Sequence, residues 1–164
     1  YKRELYAERV GSIKKRMPHC CIGVDVIVGF PGETDADFEE TYQFLLDLDI
    51  SYLHVFTYSE RANTPAATMQ GKVPVEIRRE RNERLRILSE KKRRAFYQKF
   101  IGETRPVLFE KSKNPTFLSG FTDNYLKIEL PFEENLLNTI QPVQLVAFNE
   151  EGDLTTELSC QMVV

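Results

Sequence analysis

The chain reads as an α/β unit followed by a small all-β domain, and three observations predict this. Two short apolar runs rich in valine, isoleucine and aromatics, CIGVDVIVGF and SYLHVFTY, flank a stretch with helical spacing. A long, charged helical segment then runs from about Val75 to Ile101, with Pro74 at its start and Gly102 past its end. Beyond Gly102 helical periodicity disappears and short strand-like segments alternate with turn signals.

The first element is predicted to be an amphipathic helix. Tyr6, Val10, Ile13 and Met17 recur at spacings that place them on one face, and Pro18 ends the run. CIGVDVIVGF follows as a strand expected to be buried on both faces. It stops at Pro31-Gly32. Thr34 then caps a second helix, with Asp37 as its capping-box partner. Phe38, Tyr42, Leu45 and Leu48 keep helical spacing, and SYLHVFTY supplies the second strand. Strand, helix and strand in this order make a right-handed βαβ unit. In the long helix, Ile77, Leu85, Leu88, Phe96 and Phe100 are the expected buried side.

TRPVLFE, NYLKIEL, PVQLVAF and LTTELSC are the predicted strands of the second domain. Lys113-Asn114-Pro115, Thr122-Asp123-Asn124 and Glu151-Gly152-Asp153 separate them, which suggests a small barrel or open sandwich. The domains are therefore 1–101 and 102–164. No internal repeat or low-complexity stretch is present.

Composition narrows the functional classes. Hydrophobic residues make up 41% and charged residues 29%, which fits a packed core under a solvated surface. No apolar run approaches the roughly 20 residues that span a bilayer. The first residues, YKRELYAERV, do not read as a signal peptide, and a start on Tyr in mid-helix pattern reads as a piece of a longer protein. Cys20 and Cys21 are adjacent and Cys160 is distant. That spacing fits small core residues of a reduced, cytoplasmic protein and suggests no metal site.

The net charge of −3 conceals an asymmetry. Residues 72–101 hold eleven basic and four acidic side chains, whereas residues 102–164 hold four and ten. The basic helix either meets an anionic partner such as nucleic acid or is a solvated face.

Asp25 is an acid inside an apolar run. It either pairs with a basic residue elsewhere or serves a ligand, since a carboxylate at a strand end can accept both hydroxyls of a ribose. Gly29 and Gly32 flank Phe30-Pro31 at the strand-to-helix turn, where such folds bind substrates. The turn lacks the lysine of a phosphate loop, and Glu33 would repel a phosphate there. His19 and His54 have no second imidazole nearby in sequence and are expected to be structural.

DVIVGFPGET resembles the fifth-strand motif of radical S-adenosylmethionine (SAM) enzymes. HVFTYSERANTPAA resembles the sixth-strand segment of the methylthiotransferase branch, and GFTDNYLKIELP looks like the small β-rich TRAM domain that ends those enzymes. His54-Val55-Phe56 and Arg61-Ala62-Asn63-Thr64 look closest to the threonylcarbamoyladenosine-tRNA methylthiotransferases. The resemblance implies a C-terminal portion of an open radical SAM (TIM-like) barrel followed by an OB-like TRAM domain. The full enzyme would use SAM as radical source and methyl donor, with two iron–sulfur clusters. It would add a methylthio group to an N6-modified adenosine in the anticodon loop of tRNA.

By the same resemblance, Asp25 contacts the SAM ribose, Ile27 packs on adenine, Gly29 lies at the turn, and Ser59 offers main-chain contacts to adenine. Arg61 reaches the substrate or the SAM carboxylate. The family's CxxxCxxC is absent, so the chain alone is expected to be inactive. The acidic tail is unusual for a tRNA-holding domain, with only Arg105, Lys111, Lys113 and Lys127 as cations. The basic helix, through Arg78, Arg81, Arg84, Lys91, Lys92, Arg93 and Arg94, is therefore expected to share tRNA binding with Lys127. Phe121 and Tyr125 are either core residues or rings that stack on unpaired bases. The alternatives are isopentenyladenosine in tRNA, an aspartate of a ribosomal protein, or a stand-alone RNA-binding module. A half-barrel would also expose a strand edge, which dimerisation of the piece could cover.

Overall fold

A computed structural model describes residues 2–149, 152 and 154–158, apart from the side chains at 157 and 158. Cys160, Glu151 and Asp153 lie outside the described residues. The chain divides into two compact units, Tyr1–Arg93 and Arg94–Val164.

The first unit contains α1 (Arg3–Arg16), β1 (Gly23–Val28), α2 (Asp35–Asp47), β2 (Tyr52–Thr57) and most of α3 (Val75–Gln98). β1 and β2 are parallel, with Asp25 opposite His54 and Ile27 opposite Phe56. The predicted capping box forms at α2. The Asp37 amide donates to Thr34 Oγ1 at 3.1 Å, and Asp37 Oδ2 accepts the Thr34 amide at 2.9 Å. Val24, Val28, Leu53, Leu85 and Leu88 join Phe38 and Leu45 in the core.

Three expectations need correction. The first strand is not buried on both faces: Val24 and Val28 are buried, but Asp25 and Ile27 point to a face that no described residue of this unit covers. The first helix buries only Val10 of its apolar stripe, leaving Ile13 and Met17 exposed. Cys20 and Cys21 are half-buried rather than core, and burial pushes the Cys21 thiol up from its ordinary value. That keeps it protonated and unreactive at neutral pH.

The free edge of β2 is covered from within. Ser89 Oγ on α3 accepts the Leu53 amide at 2.8 Å and donates to the Leu53 carbonyl at 3.0 Å. Asn82 Nδ2 donates to the Val55 carbonyl at 3.4 Å. Side chains thus occupy main-chain groups that would otherwise template another strand.

The last turn of α3 belongs to the second unit, so the division falls inside the helix rather than at Gly102. The helix ends at Gln98, and the Lys99 and Phe100 amides bond three residues back, which tightens the exit. Phe96, Tyr97 and Phe100 are buried. The strands are β3 (Thr104–Lys111), β4 (Phe117–Thr122), β5 (Lys127–Pro131), β6 (Ile140–Phe148) and β7 (Leu154–Leu158). They close into a barrel in the order β3-β4-β5-β7-β6. Val107, Phe109, Leu118, Ile128, Val143 and Leu145 fill it with no solvent exposure.

β4 is the strand the sequence reading missed, because Ser119 and Gly120 dilute its strand signal. The glycine is what the barrel needs there. A Cβ at Gly120 would sit 2.4 Å from the Leu108 carbonyl oxygen on β3.

Candidate functional site

Period-two alternation builds the uncovered face of the two-stranded sheet. Asp25 and Ile27 on β1 share it with His54 and Phe56 on β2. Ile27 is 59% exposed and Phe56 53%. Asp25 is therefore an exposed carboxylate beside apolar side chains, not a buried acid in need of a partner. His54, expected to be structural, stands exposed opposite it, with its ring edge-on to Tyr52 at 4.9 Å.

The strand-to-helix turn bounds this face. Gly29 has φ 78°, and a Cβ there would lie 2.4 Å from Arg78 Cγ, so only glycine fits. Its amide donates to Glu33 Oε2 at 2.8 Å, while Gly32, at φ 91°, donates to the Gly71 carbonyl at 2.8 Å. Phe30 packs edge-on against Tyr58 with ring centroids 5.2 Å apart. The Tyr58 hydroxyl is buried without a hydrogen-bond partner. Ser59 and Arg61 follow β2 and are exposed.

The basic helix does not behave as one surface. Arg78 and Arg81, expected to face RNA, are 5% and 4% exposed. Arg78 donates to the Val73 carbonyl at 2.7 Å, the Tyr58 carbonyl at 3.1 Å and Glu60 Oε1 at 2.8 Å. Arg81 donates to Glu33 Oε1 at 2.7 Å and Asp35 Oδ1 at 2.6 Å. Arg81 is thus spent on the strand-to-helix turn and Arg78 on the segments before α3 and after β2, which corrects their assignment as phosphate contacts. Arg84 pairs with Glu39 and lies over the rings of Phe38 and Tyr42. Lys92 reaches the end of α2, donating to the Leu46 and Leu48 carbonyls at 3.0 and 2.7 Å. In the second unit, Arg94 lies over Phe148 and Lys127 pairs with Glu129 at 3.1 Å.

Lys91 is exposed, and so are Arg79 and Arg86, which the sequence reading passed over. Arg79, Arg86 and Arg93 are spaced seven apart, a helix-face signal that was legible. They line two adjoining grooves beside β2, each of about 400 Å³, that share Asn82, Arg86 and Glu90. Sequence reasoning also missed the pairing of two acids with these arginines, Glu33 in the strand-to-helix turn and Glu60 after β2. The Arg78 hydrogen bond holds the Glu60 carboxyl at about 2, well below its ordinary value.

An exposed carboxylate and apolar side chains thus share an open face next to a glycine turn at the ends of two parallel strands, the position at which α/β folds bind their ligands. The chain's relatives are specific. The chain is 35% identical over 150 residues to threonylcarbamoyladenosine tRNA methylthiotransferase MtaB of Bacillus subtilis, covering 89% of the chain and 33% of that protein. It is 43% identical over 130 residues to the MtaB of Aquifex aeolicus, covering 79% of the chain and 30% of the relative. To the tRNA-2-methylthio-N(6)-dimethylallyladenosine synthase of Desulfitobacterium hafniense it is 37% identical over 145 residues, 87% of the chain and 32% of the relative. No protein-family model matches. The chain belongs to the tRNA methylthiotransferase family, and it spans about a third of the length of the curated relatives it matches.

Proposed function

We propose that the protein adds a methylthio group to C2 of N6-threonylcarbamoyladenosine at position 37, in the anticodon loop of cytoplasmic tRNA, by radical SAM chemistry. The observation that carries this reading is the identity of 35% and 43% to two proteins named for that activity. On this reading the first unit is part of a radical SAM barrel and the second is a TRAM domain.

The open sheet face fits SAM. Asp25 offers an exposed carboxylate for the ribose hydroxyls, Ile27 an apolar surface for adenine, and Tyr58 a buried hydroxyl lacking a partner. Ser59 supplies main-chain groups, which match the donor and acceptor edge of adenine. Gly29 keeps the turn close to the strand, and Arg61 reaches the carboxylate of SAM or the substrate. Bound there, SAM supplies both the radical and the methyl group; the chain's residues bind and orient it. Among the described residues no group of three or more His, Cys, Asp or Glu side chains is arranged to hold a metal. In this reading the clusters are held by regions of the relatives that this chain does not span.

For tRNA phosphates the proposal rests on exposed cations of α3, Lys91 with Arg79 and Arg86, in place of the buried Arg78 and Arg81. A second substrate, dimethylallyladenosine, is favoured by the 37% identity to a synthase named for it. Mass spectrometry of tRNA nucleosides from cells with and without the gene decides. Loss of the methylthio-threonylcarbamoyl nucleoside is the expected result. Loss of the dimethylallyl analogue would move the substrate. Unchanged tRNA would overturn both and leave a protein substrate or a non-catalytic RNA-binding role.

A further inference from the structure

An apolar row crosses three strands on the outside of the barrel. Ile140 on β6, Leu108 on β3 and Phe121 on β4 are successive cross-strand partners, and they are 67%, 44% and 39% exposed. Tyr125, 56% exposed, extends the row from the β4–β5 turn. Its ring stacks on that of Phe121, with centroids 4.6 Å apart and planes 19° from parallel. Both rings were candidates for the core, and neither is in it. Single exposed apolar side chains are ordinary, whereas a contiguous row that ends in two stacked rings marks an interaction surface.

Tyr125 is held there against its own preference. Its φ is 68°, and the other described non-glycine residues with positive φ, Asn63 and Asn138, are of the type that tolerates this region. A buried frame enforces the conformation. Thr122 Oγ1 donates to Asn124 Oδ1 at 2.7 Å and accepts the Leu126 amide at 2.8 Å, and the Thr122 carbonyl accepts the Tyr125 amide at 3.0 Å. Thr122 and Asn124 are both buried. Arg105 fastens the turn to β3 through Asp123 at 3.0 Å. Backbone strain maintained by its surroundings concentrates at ligand-binding sites.

We propose that Phe121 and Tyr125 form a platform on which an unpaired nucleobase of tRNA stacks. This rests on the tRNA reading and adds a contact to it. The neighbouring cations are committed: Arg105 to Glu103 and Asp123, Lys127 to Glu129. With ten acidic and four basic residues in 102–164, this stretch suits recognition through a ring face rather than through phosphates. Ring faces accept any planar base and require it to be unpaired, so the platform selects a loop over a duplex.

The test is a titration of the intact protein into an anticodon stem-loop hairpin carrying 2-aminopurine in the loop, repeated at several salt concentrations. Wild type is expected to quench the fluorescence. Phe121→Leu and Tyr125→Leu should weaken binding roughly 5- to 150-fold, abolish the quench and leave the salt slope unchanged. A loop-free duplex of the same stem should bind wild type and variants alike. Tyr125→Gly relieves the strained φ, so it should keep or raise the melting temperature while losing the quench, which separates stacking from folding. Wild-type affinity and quench in both leucine variants would overturn the platform and leave the tRNA reading standing. No hairpin binding by wild type would overturn both. Leucine variants that keep RNA binding but lose self-association would assign the row to a protein interface, and the platform would again fall.

Discussion

Arg81, which is buried, and the half-buried Glu33 form a pair that locks the turn beside the proposed ligand face. Arg81 donates to Glu33 Oε1 at 2.7 Å, and the second oxygen of that carboxylate accepts the Gly29 amide at 2.8 Å. The side chains are 5% and 16% exposed, so neither charge has much water to fall back on. Removing one partner of such a pair costs about 3 kcal/mol, the low end of the range because Glu33 keeps some solvent. Arg81→Ala should lower stability by about that much in chemical denaturation, and a neutral result would show that the turn holds without the pair.

At Gly29 the backbone leaves no alternative. An added Cβ would meet Arg78 Cγ at 2.4 Å and would have to adopt φ 78°. Gly29→Ala should therefore destabilise by about 2 kcal/mol or more, with a matching loss in thermal midpoint. Gly11, whose Cβ would meet nothing within 4 Å, is the control, and Gly11→Ala should be neutral or stabilising.

Asp25 separates binding from folding. It is exposed, so Asp25→Ala should change stability by no more than about 0.5 kcal/mol. In the intact protein it should nevertheless weaken SAM binding by about tenfold, the effect of losing roughly one charge-assisted hydrogen bond. Isothermal titration would measure it, and unchanged affinity would remove Asp25 from the site.

The Glu60–Arg78 pair gives a signed pH dependence. The Arg78 hydrogen bond lowers the Glu60 carboxyl from 4.5 to about 2 in the folded state. Below 4.5 the unfolded chain then binds more protons, so stability falls with falling pH. The contribution is complete above about pH 4.5 and is lost as pH drops through about 2. Asp37, lowered by its hydrogen bond to Thr34, acts in the same direction. In melts from pH 2 to 6, Glu60→Gln should fall below wild type at the neutral end and converge with it at the acid end.

The division among the arginines is measurable as a salt effect. Lys91→Gln with Arg86→Gln should reduce the slope of log affinity for tRNA against log salt by about 2. Arg84→Gln, whose cation already pairs with Glu39, should leave the slope nearly unchanged. The opposite ranking would return tRNA binding to the other face of α3.

Much of the first unit was legible. The Thr34–Asp37 box, the two parallel strands and the helix opened by Pro74 depend on local signals, and local backbone chemistry produced all three. Arg78 and Arg81 were misread because a basic helix looks alike from either side. Their acidic partners stand 18 and 48 residues away in the chain. β4 escaped because Gly120 answers to the approach of β3, not to strand propensity. The candidate ligand residues were found through motif resemblance; their shared exposure on one face came only from pairing Asp25 with His54 and Ile27 with Phe56.

By itself, then, the sequence determined where helices and most strands form, the glycine turn after the first strand, and the family to which the chain belongs. Those features depend on residues close together in the chain or on order along it. Tertiary structure alone decided which arginines are buried, which strand edge Ser89 and Asn82 cover, and which aromatics remain outside the barrel. Each of these depends on a long-range partner whose position is set only when the chain closes on itself. The stacked pair of Phe121 and Tyr125 is an instance, because pairing with β3 sets Phe121 opposite the exposed Leu108, on the outside of the barrel.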